Sequence, residues 1–287
     1  MKMLFRILLI CCCTFLITAT FGQAKTIKAP SYGYSFTAPV DWIHQDIGNG
    51  YHLLGSNAVP GFILIMPHTY SDKTAIKALA QTEGIIDQGI SLQAVGAVEY
   101  YGKNGISGTF KGITDGELAE AAALCLFSPH GGGILILAMT SPAQFNTTYM
   151  QLAEGVAKTV KFSTPVESQL AKTWRQGLTH KKLVYYNTTS TSSEKNTYYL
   201  YHNGTFEYAG GISSSSTNYY SDQTVTISSA GTDADAGQWT VVGDEQSVQL
   251  YLVYNNGNEA LFNLQLKEGT EAQILLNGDR YFVQDLE

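Results

Sequence analysis

Beyond residue 30, apolar and polar positions alternate with a period of two along most of the sequence, the spacing of strands with one buried face. Tyr32-Gly33-Tyr34-Ser35-Phe36-Thr37 alternates around Tyr34 and Phe36 and stops at Ala38-Pro39, with Trp42 three residues on, which predicts a short strand and a turn. Residues 61–66, 96–101 and 106–110 read as further strands. Residues 118–127 and 134–139 are apolar runs joined by Ser128-Pro129-His130-Gly131-Gly132-Gly133, a link that predicts a hairpin. The period lengthens in two places. Ser141-Pro142-Ala143-Gln144 offers an N-cap, a proline at the first helical position and a capping partner, and Phe145, Tyr149, Leu152 and Val156 then share one helical face. A shorter helix starts near Ser71, uses Ile76, Leu79 and Ala80, and ends at Gly84. Antiparallel strands with two helices predict an α+β class over residues 27–165, an antiparallel-sheet α/β sandwich.

From Lys182 the pattern changes to short strands punctuated by turns: 183–186, 197–201, 205–208, 223–227, 239–242, 248–254, 260–266, 272–276 and 280–283. Between them stand Asn203-Gly204, Gly210-Gly211, Asn255-Asn256-Gly257 and Asn277-Gly278. Asn-Gly pairs favour hairpins because both turn positions need positive φ. A run of hairpins makes an all-β antiparallel meander, and eight or nine strands close into a barrel without free edges. The expected boundary between the two units falls in residues 164–170, and the second unit occupies 170–287.

In the first unit, Tyr34-Ser35-Phe36, Pro39, Trp42, the mid-chain helix and the closing helix running into Val160-Lys161-Phe162 resemble the PsbP-like fold. That family implies docking and assembly more often than catalysis. The second unit resembles the lipocalin-like, or calycin-like, barrels of exported bacterial proteins, on Trp174, Asn203-Gly204-Thr205-Phe206, Gly237-Gln238-Trp239, and Asn277-Gly278 before Arg280. True lipocalins carry Gly-x-Trp on the first strand, whereas here that triplet sits in mid-unit. The resemblance implies a barrel closure in which the Arg280 guanidinium lies over the Trp174 indole, a cation–π contact.

The N-terminus adds a compartment. Lys2 and Arg6, an apolar run over 7–19, and the small residues Gly22 and Ala24 form a secretory signal over residues 1–24, so the mature chain is expected to start near Lys25, in the periplasm or outside the cell, without membrane insertion. Cleavage removes Cys11, Cys12 and Cys13 and leaves Cys125 without an intrachain disulfide partner. It also leaves 15 basic side chains against 24 acidic ones, which excludes a nucleic-acid partner. The imbalance is uneven: residues 25–165 carry 8 basic and 10 acidic side chains, residues 166–287 carry 7 and 14.

No catalytic or metal motif emerges. His44, His52, His68, His130, His180 and His202 show no zinc-site spacing, although His68 and His130 both fall at strand ends that space could bring together. Asp233, Asp235, Asp244 and Glu245 lack the ligand order of a calcium loop and read as solvated acidic turns. Gly105-Ile106-Ser107-Gly108 lies between strands rather than at a strand-to-helix elbow, and Gly131-Gly132-Gly133 has no following lysine or helix to cradle a phosphate. The second unit holds 11 of the 18 tyrosines, and Tyr186, Tyr199, Tyr201, Tyr208 and Tyr251 are the candidate ligand-binding residues, for a small apolar or glycan ligand. The expectation is an exported, non-catalytic two-domain protein that binds a ligand or docks to a partner protein, with no cofactor. The alternative is an extracytoplasmic hydrolase or metal-dependent enzyme with a site assembled from scattered residues. A titratable cluster in a concave pocket would favour the enzyme.

Overall fold

The computed structural model describes residues 24–87, 89–189, 192–220, 223–269 and 272–286. The expected signal segment over residues 1–24 lies outside the described residues but for Ala24, and Cys11, Cys12 and Cys13 lie outside them altogether.

The first unit contains β1 (Thr26–Ala29), β2 (Tyr34–Thr37), β3 (Ile43–Asp46), β4 (His52–Gly55), β5 (Phe62–His68), α1 (Lys73–Thr82), β6 (Ile85–Asp87), β7 (Ile90–Tyr101), β8 (Gly105–Thr114), β9 (Glu117–Phe127), β10 (Gly133–Thr140), α2 (Thr147–Ala157) and β11 (Lys161–Phe162). A small sheet runs β1-β2-β11, and an eight-stranded antiparallel sheet runs β3-β4-β5-β10-β9-β8-β7-β6. Central strands β5, β9 and β10 are buried on both faces, which is why 118–127 and 134–139 are apolar runs rather than alternating ones. One face, with Ile63, Ile65, Leu124 and Ile136, packs on α2 and the small sheet. The other, with Met66, Leu92, Phe110 and Leu137, is concave and carries α1 at one side. The sheet curls far enough for Tyr51, the residue before β4, to donate its hydroxyl to Asp87 of β6, 3.1 Å away. The architecture is therefore mostly β, a curled sheet with few helices, and the expected α+β sandwich fits it only loosely.

The predicted hairpin through Gly131-Gly132-Gly133 forms, pairing Gly133 with Phe127. The helix near Ser71 forms as α1, capped by Asp72, whose carboxylate accepts from the Thr74 and Ala75 N–H groups. The other helix starts later than expected. Ser141 and Gln144 close an isolated turn, and α2 takes its cap from Asn146, which accepts the Thr148 N–H at 2.9 Å. The Asn146-Thr147-Thr148 step supplies the stronger Asx cap after that turn has used the Ser-Pro signal.

The second unit opens with a helix absent from the expected element string, α3 (Gln169–Leu178). It continues as β12 (Lys181–Thr188), β13 (Ser192–Leu200), β14 (Thr205–Tyr220), β15 (Gln223–Gly243), β16 (Val248–Tyr254), β17 (Glu259–Leu266), β18 (Gln273–Leu276) and β19 (Asp279–Asp285). These eight strands close into an antiparallel barrel in sequence order, β19 pairing back onto β12. Segments 223–227 and 239–242 are two parts of one strand. Gly210-Gly211, expected as a turn, sits in mid-β14 with Gly210 opposite Asn196 and Asp233. A Cβ on Gly210 would collide with the Tyr208 hydroxyl, so the glycine makes room for an inward tyrosine rather than turning the chain. Asn277-Gly278 turns as predicted, with φ of 51° and 91°. Among the described residues side chains fill the lumen: Leu183, Phe206, Trp239, Leu250, Leu252 and Leu276 are all buried in one cluster.

α3 is seated on the barrel by its own N-terminus. Ser168 caps it by accepting the Ala171 N–H at 3.1 Å and donates its hydroxyl to the Asp244 carbonyl, while Glu245 accepts the N–H groups of Gln169 and Leu170. A carboxylate there also meets the positive end of the helix dipole. The two units touch through polar bonds: the Asn49 N–H donates to Ser247 Oγ at 2.7 Å, its amide to Asn263 Oδ1 at 3.1 Å, and Thr69 Oγ1 to Glu259 Oε2 at 2.5 Å.

Candidate functional site: a cleft between the curled sheet and the barrel

The concave face of the curled sheet and the outer face of β16 and β17 enclose a cleft of about 750 Å³, the size range of small-molecule sites. Its floor comes from the buried sheet residues Met66, Ile106, Phe110 and Ala123, and α1 adds Ile76 and Leu79 from the side. Helical spacing explains the second contribution, since residues 76, 79, 80 and 83 share the face that α1 turns to the cleft.

Several of its polar groups are held by hydrogen bonds. On the barrel side, Glu259 accepts the Thr69 hydroxyl and also that of Tyr251, whose own pKa is pushed up to about 12 by burial first and by this carboxylate second. Tyr251 therefore stays a hydroxyl donor. On the far side stands the Tyr51–Asp87 bond, with the Tyr51 hydroxyl raised by burial and by Asp87. In the wall between them, Cys125 Sγ lies 3.1 Å from His68 Nε2, which also faces the Leu126 carbonyl at 3.2 Å. Burial pushes the His68 pKa down to about 4 and the Cys125 thiol up to about 12, so at neutral pH this is an uncharged imidazole beside an uncharged thiol.

The sequence-predicted residues scatter. Tyr251 lines the cleft. Tyr208 points into the barrel, where its hydroxyl donates to Asn196 Oδ1 at 3.0 Å and its ring packs 4.9 Å from Tyr198. Tyr186 is exposed under Lys195, Tyr199 is half-buried, and Tyr201 donates to Glu207 at 3.0 Å. These five do not form one surface. The Trp174–Arg280 closure does not form either. Arg280 on β19 lies over Phe282, 5.3 Å from its centroid, while Trp174 belongs to α3, which packs against β15 and β16. Those strands and β19 are not neighbours in the barrel. Trp239 is the buried tryptophan of the barrel, donating Nε1–H to the Tyr201 carbonyl at the turn of the neighbouring β13–β14 hairpin, 3.0 Å away.

His68 and His130 share no hydrogen bond or ring contact: His68 bonds Cys125 and stacks on Tyr70. His130 stands on the exposed hairpin near Thr164, and among the described residues no three metal-ligating side chains converge. Asp233 and Asp235 lie within β15 rather than in a turn, whereas Asp244 does turn the chain, accepting from Gln246 and Ser247. A further pairing escaped sequence reading: His44 Nε2 and His52 Nδ1 meet at 3.1 Å across the β3–β4 hairpin. His52 is 2% exposed, and burial lowers its pKa to about 4. The site pairs Cys125–His68 and Thr69–Glu259 join residues 57 and 190 apart, and no local spacing announces contacts of that range.

No protein-family model matches the chain, and no curated protein does. A crystal structure of a protein from Bacteroides thetaiotaomicron VPI-5482 is similar over 54% of this chain and 58% of that one, at 17% identity and a TM-score of 0.32. The chain spans less than two thirds of that protein's length.

Proposed function

We propose that the protein is an exported, non-catalytic binding protein whose ligand site is the cleft between its two units, and that the ligand is a small, largely apolar molecule. The observation that carries this reading is the apolar floor of a 750 Å³ cleft bordered by a few fixed polar groups. An apolar occupant removes from water the surface of Ile76, Leu79 and their neighbours, at about 25 cal/mol per Å². The barrel acts as scaffold, because its lumen is already filled by side chains. On this reading the curled sheet with α1 and α2 is PsbP-like and the meander barrel is lipocalin-like; the closed eight-stranded antiparallel barrel supports the second likeness.

The enzyme alternative has one observation in its favour, the Cys125–His68 contact in the wall of the cleft. A thiol raised to about 12 beside an uncharged imidazole is a poor nucleophile, which weighs for binding over catalysis. The test is titration with the neutral fluorophore N-phenyl-1-naphthylamine against wild type and Ala80→Trp, which fills the cleft from α1. Saturable 1:1 binding in wild type and its loss in a folded A80W protein is the expected result. Equal binding by both proteins, or none by wild type, refutes the site.

A further inference from the structure

The charges bordering the cleft say more about its occupant. Among the described residues its charged lining side chains are Glu83, Asp87 and Glu259, all acidic, with no lysine or arginine beside them. Glu83 and Glu259 are exposed and Asp87 half-buried, so the acids border an opening whose floor is apolar. Glu259 is held in place by hydroxyls from both units, those of Thr69 and Tyr251, and Asp87 by Tyr51. The lysines of α1 are engaged elsewhere. Lys73 donates to the Lys103 carbonyl at 2.7 Å, and Lys73 and Lys77 both lie over the Tyr100 ring, at 5.2 and 5.4 Å, outside the cleft lining. His68, the one imidazole of the lining, is uncharged at neutral pH and supplies no compensating cation.

We propose that the cleft selects amphiphiles with a cationic amine end and rejects those with a carboxylate end, the acids of its border facing the ligand's polar head while the chain lies on the apolar floor. This rests on the apolar-site reading above and adds the chemical class. A fatty-acid anion would place its charge beside three like charges and find no basic partner, whereas an alkylammonium would meet carboxylates already fixed by hydrogen bonds. Selection by charge at a partly exposed border is moderate in size and falls with salt.

The experiment is displacement of N-phenyl-1-naphthylamine from the full-length mature protein at pH 7 by dodecylamine, dodecanol and dodecanoate, each below its micelle concentration. At low salt, dodecylamine is expected to displace the probe at a concentration about tenfold below that of dodecanoate, with dodecanol between them. In the Glu83→Gln/Glu259→Gln double variant the gap between amine and acid is expected to close several-fold. Dodecanoate displacing as well as or better than dodecylamine overturns the charge selection while leaving the apolar site standing. So does a gap that persists unchanged in the double variant. Failure of the probe to bind at all removes the apolar site itself and this inference with it.

Discussion

The Tyr51 hydroxyl donates to the Asp87 carboxylate at 3.1 Å, joining strands that stand second and eighth in the same sheet. A flat sheet would hold those strands some 30 Å apart at the usual spacing of about 4.8 Å per strand, so the bond marks how far the sheet has curled. The concavity left inside the curl is the cleft. Tyr51→Phe removes the donor and should cost about 1 kcal/mol of stability, read as a lower urea midpoint. Asp87→Asn, which keeps an acceptor oxygen, should cost less. Equal losses in the two variants would show that the hydroxyl bond is not what joins the strands.

Acid should destabilise the protein through its buried imidazoles. His52 and His68 each have a pKa near 4 when folded against 6.5 when unfolded. Above pH 6.5 both are neutral in either state and cost nothing. Between 6.5 and 4 the unfolded chain takes up protons that the folded chain refuses, so stability falls across that window, by up to about 3 kcal/mol for each residue. Urea midpoints measured from pH 7.5 to 4 should decline, and His68→Gln should flatten the decline. A midpoint constant over this range would contradict the burial argument.

Cys125 is 7% exposed and its thiol is raised to about 12, so it should react with a disulfide reagent at pH 8 at least about a hundredfold more slowly than a free cysteine. Denaturant should release the full rate. Rapid reaction in the native protein would instead reveal an activated thiol and restore the enzyme reading.

Residues 25–165 and 166–287, expressed separately so that the second keeps Ser168 and the whole of α3, should each unfold cooperatively, since each contains a buried cluster of its own. Glu245→Ala should destabilise the second fragment by about 1 kcal/mol through loss of the α3 cap, seen as a lower melting temperature. Two fragments without cooperative transitions would mean that the contacts of Asn49 and Thr69 with the barrel are needed for folding.

Much of this architecture was legible in the sequence, for reasons that identify what was not. Asn277-Gly278 fixed a hairpin because its backbone demands are local, and the paired apolar runs around Gly131 fixed the sheet's centre because burial on both faces leaves few polar positions, Glu120 among them. Edge strands β3 and β6 were missed: they are short, and Ile43 and Ile86 are exposed at 65% and 71%, so no buried stripe marks them. α3 did leave a signal, Ser168 as cap and Ala171, Trp174 and Leu178 at helical spacing, but the resemblance of Trp174 to a barrel tryptophan drew it elsewhere. The candidate site was the least legible part. Of the five tyrosines, Tyr251 alone reaches the cleft, because the cleft is made where two distant stretches of chain meet.

The most direct measurement of the binding claim is methyl NMR of isoleucine- and leucine-labelled protein titrated with N-phenyl-1-naphthylamine. The account predicts shifts concentrated on Ile76, Leu79 and Ile106 of the cleft, with Leu183, Leu250 and Leu252 inside the barrel unmoved. Shifts centred on the barrel leucines, with the cleft methyls unchanged, would contradict it.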